Sequence, residues 1–420
     1  MLRGPAVIRA VITSASAAAL VVGGVVPRAA GAGGDLDPTF GDEGQVTTEF
    51  PIGSFATAVA IQPDGRIVAV GAAAGASIDG EFAIARYGSN GDLDPTFGHG
   101  GTVVTPIAGG DGDEARSVAI QADGRIVVAG TDSWRKFALV RYRSNGTLDS
   151  SFGNDGIVRT NFSPGDDVAW DVAIQPDGKI VAVGAAGFGQ RGFQLARYRR
   201  NGALDPTFGH GGTVVTEYHG ANARSVVVQP NGRIVVAGYN MRGLALARYR
   251  PDGRLDRSFS RNGRVARVWG IFALAVALQP DGRIVVAGDY DIFRFGLARF
   301  RRNGRLDRTF GGDGVVTQEV DGAEQGANGV LIQPDGRIVA TGSAGPHEFG
   351  DPTIPRFVLI RRLEDGRRDR SFGVGGEVAT FFEGGASAHG SGEDADGRIV
   401  VVGGAGENSI GSFALARYLA

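Results

Sequence analysis

Seven residues each stand one position ahead of a recurring segment whose first copy is "AVAIQ": Thr57, Arg116, Trp170, Arg224, Leu274, Asn328 and His389. Five of them carry chemistry. Arg116 and Arg224 bring two guanidiniums, whose planar forks suit a carboxylate or a phosphate. Trp170 brings an indole able to lie on a sugar ring, while Asn328 and His389 add an amide and an imidazole. They are far apart in the chain, so they make a site only if the fold gathers them at one opening.

Other candidates are weaker in their chemistry. "DGDE" supplies Asp111, Asp113 and Glu114, "DYD" supplies Asp289 and Asp291, and Asp171 stands one residue into its strand. Such oxygens would take calcium, the one cofactor worth naming, but none has the ligand spacing of an EF-hand, and acidic loop tips are ordinarily solvated. "GFGQRG" (187–192) fits a dinucleotide glycine pattern but lies between two strands, with no helix to hold a phosphate. His99 and His210 recur in "FGHGG" as turn residues, and His219, His347 and His389 are too scattered to claim a metal. Serine in a nucleophile-elbow pattern is absent, so no catalytic residue is assigned.

The elements that must position these residues are repeats. "AVAIQPDGRIVAVG" (58–71) returns six times, the last degraded to "GSGEDADGRIVVVG" (390–403). The phenylalanines of "TFG" (Phe40, Phe97, Phe152, Phe208, Phe259, Phe310 and Phe372) are 57, 55, 56, 51, 51 and 62 residues apart. Each unit holds four short runs rich in Val, Ile and Ala, bounded by Gly, Asn, Asp and Pro, which is a strand signature. "PDG" joins the first two and "NG-LD" the last two. One such unit cannot bury both of its faces. Four strands in a repeat of this length predict an all-β, seven-bladed β-propeller of four-stranded antiparallel blades. The chain begins its first unit with a fourth strand alone (34–48) and ends on a third strand, "FALARYLA". The expectation is therefore a ring closed by the N-terminal strand pairing into the C-terminal blade.

Residues present in every copy read as architecture. Arg86, Arg141, Arg197, Arg248, Arg299, Arg361 and Arg417 of "ARY" are expected to pair with Asp94, Asp149, Asp205, Asp256, Asp307, Asp369 and Asp37 of "LD". The "TFG" phenylalanines are expected to wedge between blades. Connections between strands two and three, and from one blade to the next, vary in length and charge, which places binding on that face. In the seventh unit "GSGED" replaces "AVAIQ", and glycine there admits a close approach of backbone or ligand.

Composition narrows the classes further. Among 420 residues there are 70 glycines and no cysteine, which removes disulfides and thiolate metal sites. Basic and acidic residues number 43 and 45, so no overall basic balance points to nucleic acid. Residues 1–32 read as an export signal: Arg3 and Arg9, an apolar stretch over 10–26, and "AGA" at 30–32. Cleavage after Ala32 would remove three arginines and take the formal charge from −2 to −5. The mature propeller, 34–420, is then expected outside the cell or in its envelope, as a monomer without a transmembrane domain.

"LDPTFG", "AIQPDGRIVVAG" and "FALARY" resemble the delta-60 repeat β-propeller family of exported bacterial proteins, over roughly residues 34–420. The resemblance implies the repeat architecture and carries no activity. A looser likeness to NHL-type propellers makes "AVAIQ" the innermost strand. The leading functional expectation is a non-enzymatic binding module with an extracellular ligand, a glycan or a protein, at Arg116, Trp170, Arg224, Asn328 and His389. A divalent-metal hydrolase of the sugar-lactonase sort ranks second, because only Asn328 and Asp171 supply oxygens near that opening. A cell-surface adhesion scaffold is the third reading.

Overall fold

Alternation of β-branched and small residues between glycine turns produces strands and nothing else of length. The computed structural model describes residues 11–13, 16–18, 32–74, 80–107, 112–132, 136–163, 165–186, 192–218, 220–268, 270–291, 294–320, 324–345, 354–406 and 411–420. The leader otherwise lies outside the described residues, as do Asp111, His219 and His347. No helix among the described residues is long and apolar enough to cross a membrane.

Seven four-stranded antiparallel blades form the molecule. Their inner strands are Ser54–Ile61, Glu114–Ile120, Asp167–Ile174, Asn222–Val228, Ile271–Leu278, Glu324–Ile332 and Ala386–Glu393 in blades 1 to 7. Blade 4 shows the plan: Asn222–Val228, Ile234–Asn240, Gly243–Tyr249 and Arg264–Val268 pair in chain order from the axis outward. Blades 4 and 7 fall in one sheet order only through single bridges, Thr13↔Val227 and Ala18↔Glu393, from the hairpin Val11–Thr13 with Ser16–Ala18. In blade 7 the outer strand is Gln45–Glu49, paired antiparallel with Ser412–Tyr418, so the two ends of the propeller share one sheet.

Every blade repeats one latch. The "ARY" arginine donates through Nε to the "LD" aspartate at 2.8–3.0 Å in six blades, and the seventh pair, Arg197 and Asp205, is a 3.0 Å ion pair. Its guanidinium lies 4.3–4.8 Å from the centre of the "TFG" ring, and all seven rings are fully buried. In six blades Nη1 also reaches a turn carbonyl of the next blade, as Arg86 does to Ser144 and Arg417 to Ser89. One arginine thus ties its own turn to its neighbour. The phenylalanine fills the seam, since Phe97 packs among residues of both blade 1 and blade 2. The "PDG" turn behaves as an Asx turn: Asp64 and Asn231 each accept the N–H two residues on, at 3.1 Å.

Blade 7 has a packing reason for its glycines. A Cβ at Gly390 would meet Ala58 Cα at 2.8 Å and Thr57 O at 3.0 Å, and one at Gly329 in blade 6 would meet the hydroxyls of Thr341 and Ser391. Inner strands of blades 6, 7 and 1 therefore run closer than a side chain allows, and "GSGED" serves that approach.

Candidate functional site

Each inner strand begins three to five residues before "AVAIQ" or its equivalent, and each carries one β-bulge near its start. Register shifts fall between Ala56 and Ala58, Ala115 and Ser117, Ala169 and Asp171, Ala223 and Ser225, Ala273 and Ala275, Ala327 and Gly329, and Ala388 and Gly390. The extra residues are Thr57, Arg116, Trp170, Arg224, Leu274, Asn328 and His389. The sequence expectation had them ahead of the strand. They lie within it, one per blade, at a bulge that re-aims a side chain. All seven are half-buried.

The ring divides by what these side chains do. Thr57 Oγ1 donates to Ala115 O at 2.7 Å, Asn328 Nδ2 to Ala388 O at 2.8 Å, and His389 Nδ1 to Ala56 O at 2.8 Å. In each case the side chain caps a carbonyl that the next blade's bulge has freed from its ladder. Thr57, Asn328 and His389 are thus engaged in closing the ring. Burial lowers the pKa of His389, and the nearby Arg116 lowers it further.

Blades 2 to 5 hold a different arrangement. The guanidinium of Arg116 lies 4.4 Å and that of Arg224 3.7 Å from the centre of the Trp170 ring. The indole is therefore a rest for two cations from neighbouring blades, and not the open sugar platform that the sequence suggested. Arg116 forms an ion pair with Glu114 at 2.5 Å, and Arg224 donates to the Tyr239 hydroxyl at 2.7 Å. Tyr239 meets Phe272 edge-on, 5.5 Å between ring centres. Burial raises the Asp289 carboxyl to about 6, against the Ala327 N–H and the charge of Arg224, which lower it.

Below this layer Asp171 is buried between three blades. Its Oδ1 accepts from Ser117 Oγ at 2.8 Å and Val172 N–H at 2.7 Å, and its Oδ2 from Val226 N–H at 2.6 Å. Burial nonetheless raises it to about 8. Asp113 and Glu114, also considered for calcium, have protein partners too. Asp113 accepts the Ile107 N–H at 2.7 Å, and Glu114 faces Arg116. Among the described residues no three His, Asp or Glu side chains gather as a metal site.

Sequence reasoning missed Tyr239 and Phe272, and it gave Asp289 only a calcium role. Tyr239 and Asp289 follow "VVAG" directly, where the other repeats have Ala72, Thr131, Ala185, Ser343 and Gly404. Phe272 pairs with Asp289 two residues before its bulge. Unusual residues at those fixed offsets were the available signal.

Six segments, residues 62–97, 121–152, 175–208, 229–259, 279–310 and 395–420, match a family described as a domain of unknown function (DUF5122) β-propeller. No curated protein matches the chain. Among solved structures it is similar to the BP39L lectin from Burkholderia pseudomallei, at 10% identity and a TM-score of 0.48, covering 88% of this chain and 96% of that one. It is also similar to a protein of unknown function from Dyadobacter fermentans, at 13% identity and 0.45, covering 91% and 100%. A fungal alcohol oxidase of the AA5 family in complex with copper is similar at 15% and 0.45, covering 89% and 75%.

Proposed function

We propose, from the premise that this chain is a β-propeller repeat protein, that it is an exported binding module without catalysis whose channel mouth takes an acidic sugar. One observation carries the reading: Arg116 and Arg224, from blades 2 and 4, rest on the Trp170 ring of the blade between them. Guanidiniums held over an aromatic ring lose little further freedom when they bind, so their donors are set for a planar anion. Tyr239 fixes one guanidinium from the side and Glu114 the other, and Phe272 gives an apolar wall for a ring face. A carboxylate between two such cations makes charge-assisted hydrogen bonds, and the sugar ring follows the mouth toward Phe272.

Galacturonate and glucuronate oligosaccharides, sugar phosphates and their neutral counterparts, titrated calorimetrically, test the reading. The acidic sugars should bind and the neutral ones should not. Arg224→Ala should weaken binding by roughly tenfold or more, the loss typical of a hydrogen bond to a charged group. Equal binding of neutral and acidic sugars would exclude it.

A further inference from the structure

A second surface lies at the opposite end of the blades, where the third strand turns into the fourth. Arg250 N–H to Arg254 O, Arg301 N–H to Arg305 O and Leu363 N–H to Arg367 O close the same turn at 2.8, 2.8 and 2.9 Å in blades 4, 5 and 6. The positive φ of Gly253, Gly304 and Gly366 holds it. The residue after that glycine reads Asp35, Asp92, Thr147 and Ala203 in blades 7, 1, 2 and 3, and then Arg254, Arg305 and Arg367 in blades 4, 5 and 6. Three residues on, Pro or Ser gives way to Arg257, Arg308 and Arg370 in the same three blades.

These six arginines are exposed, the side chains of Arg254 and Arg367 at 82% and 77%. The turns touch in succession, Ser260 N–H donating to Asn303 O and Gly311 N–H to Asp365 O, so the cations follow one continuous arc. Acids in the arc neutralise it only in part. Asp256 and Asp307 are taken by buried Arg248 and Arg299, Glu364 pairs with Arg283 at 3.1 Å, Asp252 stands 4.0 Å from Arg254, and Asp365 pairs with Arg367 at 2.6 Å. Across the ring the corresponding turns expose Asp35, Asp42, Glu43 and Asp92.

We infer that this arc binds a linear anionic polysaccharide, separately from the channel mouth. Repeated forks on successive blades fit a polymer with an anion on each unit better than a single small ligand. Exposed aromatic side chains, on which nucleic-acid bases would stack, are absent from these turns among the described residues, and all three phenylalanines there are buried. The net charge of the chain hides the arc, because blades 7 and 1 compensate it.

The test immobilises alginate and measures binding of the full propeller, its Arg116→Ala/Arg224→Ala form, and Arg254→Glu/Arg305→Glu/Arg367→Glu over a range of salt. The first two should bind alike, with affinity falling steeply as salt rises. The triple variant should bind at least about tenfold more weakly and melt at an unchanged temperature. Unchanged binding by the triple variant overturns the proposal. So does tighter binding of duplex or single-stranded DNA through the same arginines, which would make the arc a nucleic-acid surface. Self-association at low salt that the triple variant abolishes, with no alginate binding, would assign the arc to the acidic turns of a second copy and equally overturn it.

Discussion

Arg141 shows how one side chain is committed three ways. Its Nε binds Asp149, its plane lies 4.5 Å from the centre of Phe152, and Nη1 reaches Arg200 O in the next blade. Arg141→Ala leaves buried Asp149 with only the more exposed Arg125 as a close cation, and denaturant unfolding should show a loss of about 1–4 kcal/mol. At the mouth, Asp289 is the group whose charge changes near neutrality. The charge of Arg224 reaches it from blade 4 and the Ala327 N–H from blade 6, while Phe272 is its cross-strand partner within its own blade. Protonated below about pH 6, it leaves the site more positive. Affinity for an acidic sugar should therefore fall as pH rises from 5 to 7, and Asp289→Asn should flatten that dependence in calorimetric titrations.

At the scale of the strand, the bulge decides the site. Seven positions were readable from repeat register alone, because a fixed offset in a closed ring must return to one opening. The bulge was not readable, since its extra residue looks like an ordinary step in an apolar run. Which neighbours meet was not readable either. Tyr239 reaches Arg224 within blade 4, while Trp170 reaches both arginines only because blades 2, 3 and 4 converge. "GSGED" was visible as an exception, and its cause emerges only from the distance between blades 7 and 1. Gly390→Ala should force those strands apart and cost roughly 1–3 kcal/mol, as overpacking does, seen as a lower melting temperature.

For the whole propeller, the pH dependence of stability is set by carboxyls of two kinds. Burial pushes Asp149 and Asp205 up, but bonds from Ser151 and Thr207 and the charges of Arg141 and Arg197 outweigh it and hold both at about 2. Their contribution is complete above the ordinary aspartate range and is lost as pH falls toward 2. Burial raises Asp171 and Glu393 to about 8, so the folded chain keeps protons that the unfolded chain releases, and stability falls as pH rises toward 8. His389, lowered by burial, acts oppositely, but only below pH 6.5. Between 6.5 and 8 the two raised acids dominate, and the melting temperature should decline across that window.

The central claim is that two guanidiniums on Trp170 form a receptor for an acidic sugar at the channel mouth. A crystal structure of the propeller with a galacturonate oligosaccharide tests it most directly. A carboxylate oxygen should lie within hydrogen-bond distance of Arg116 or Arg224, with the sugar ring against Phe272. A sugar seated only on the arginine arc of blades 4 to 6, with the mouth unchanged, would contradict the claim.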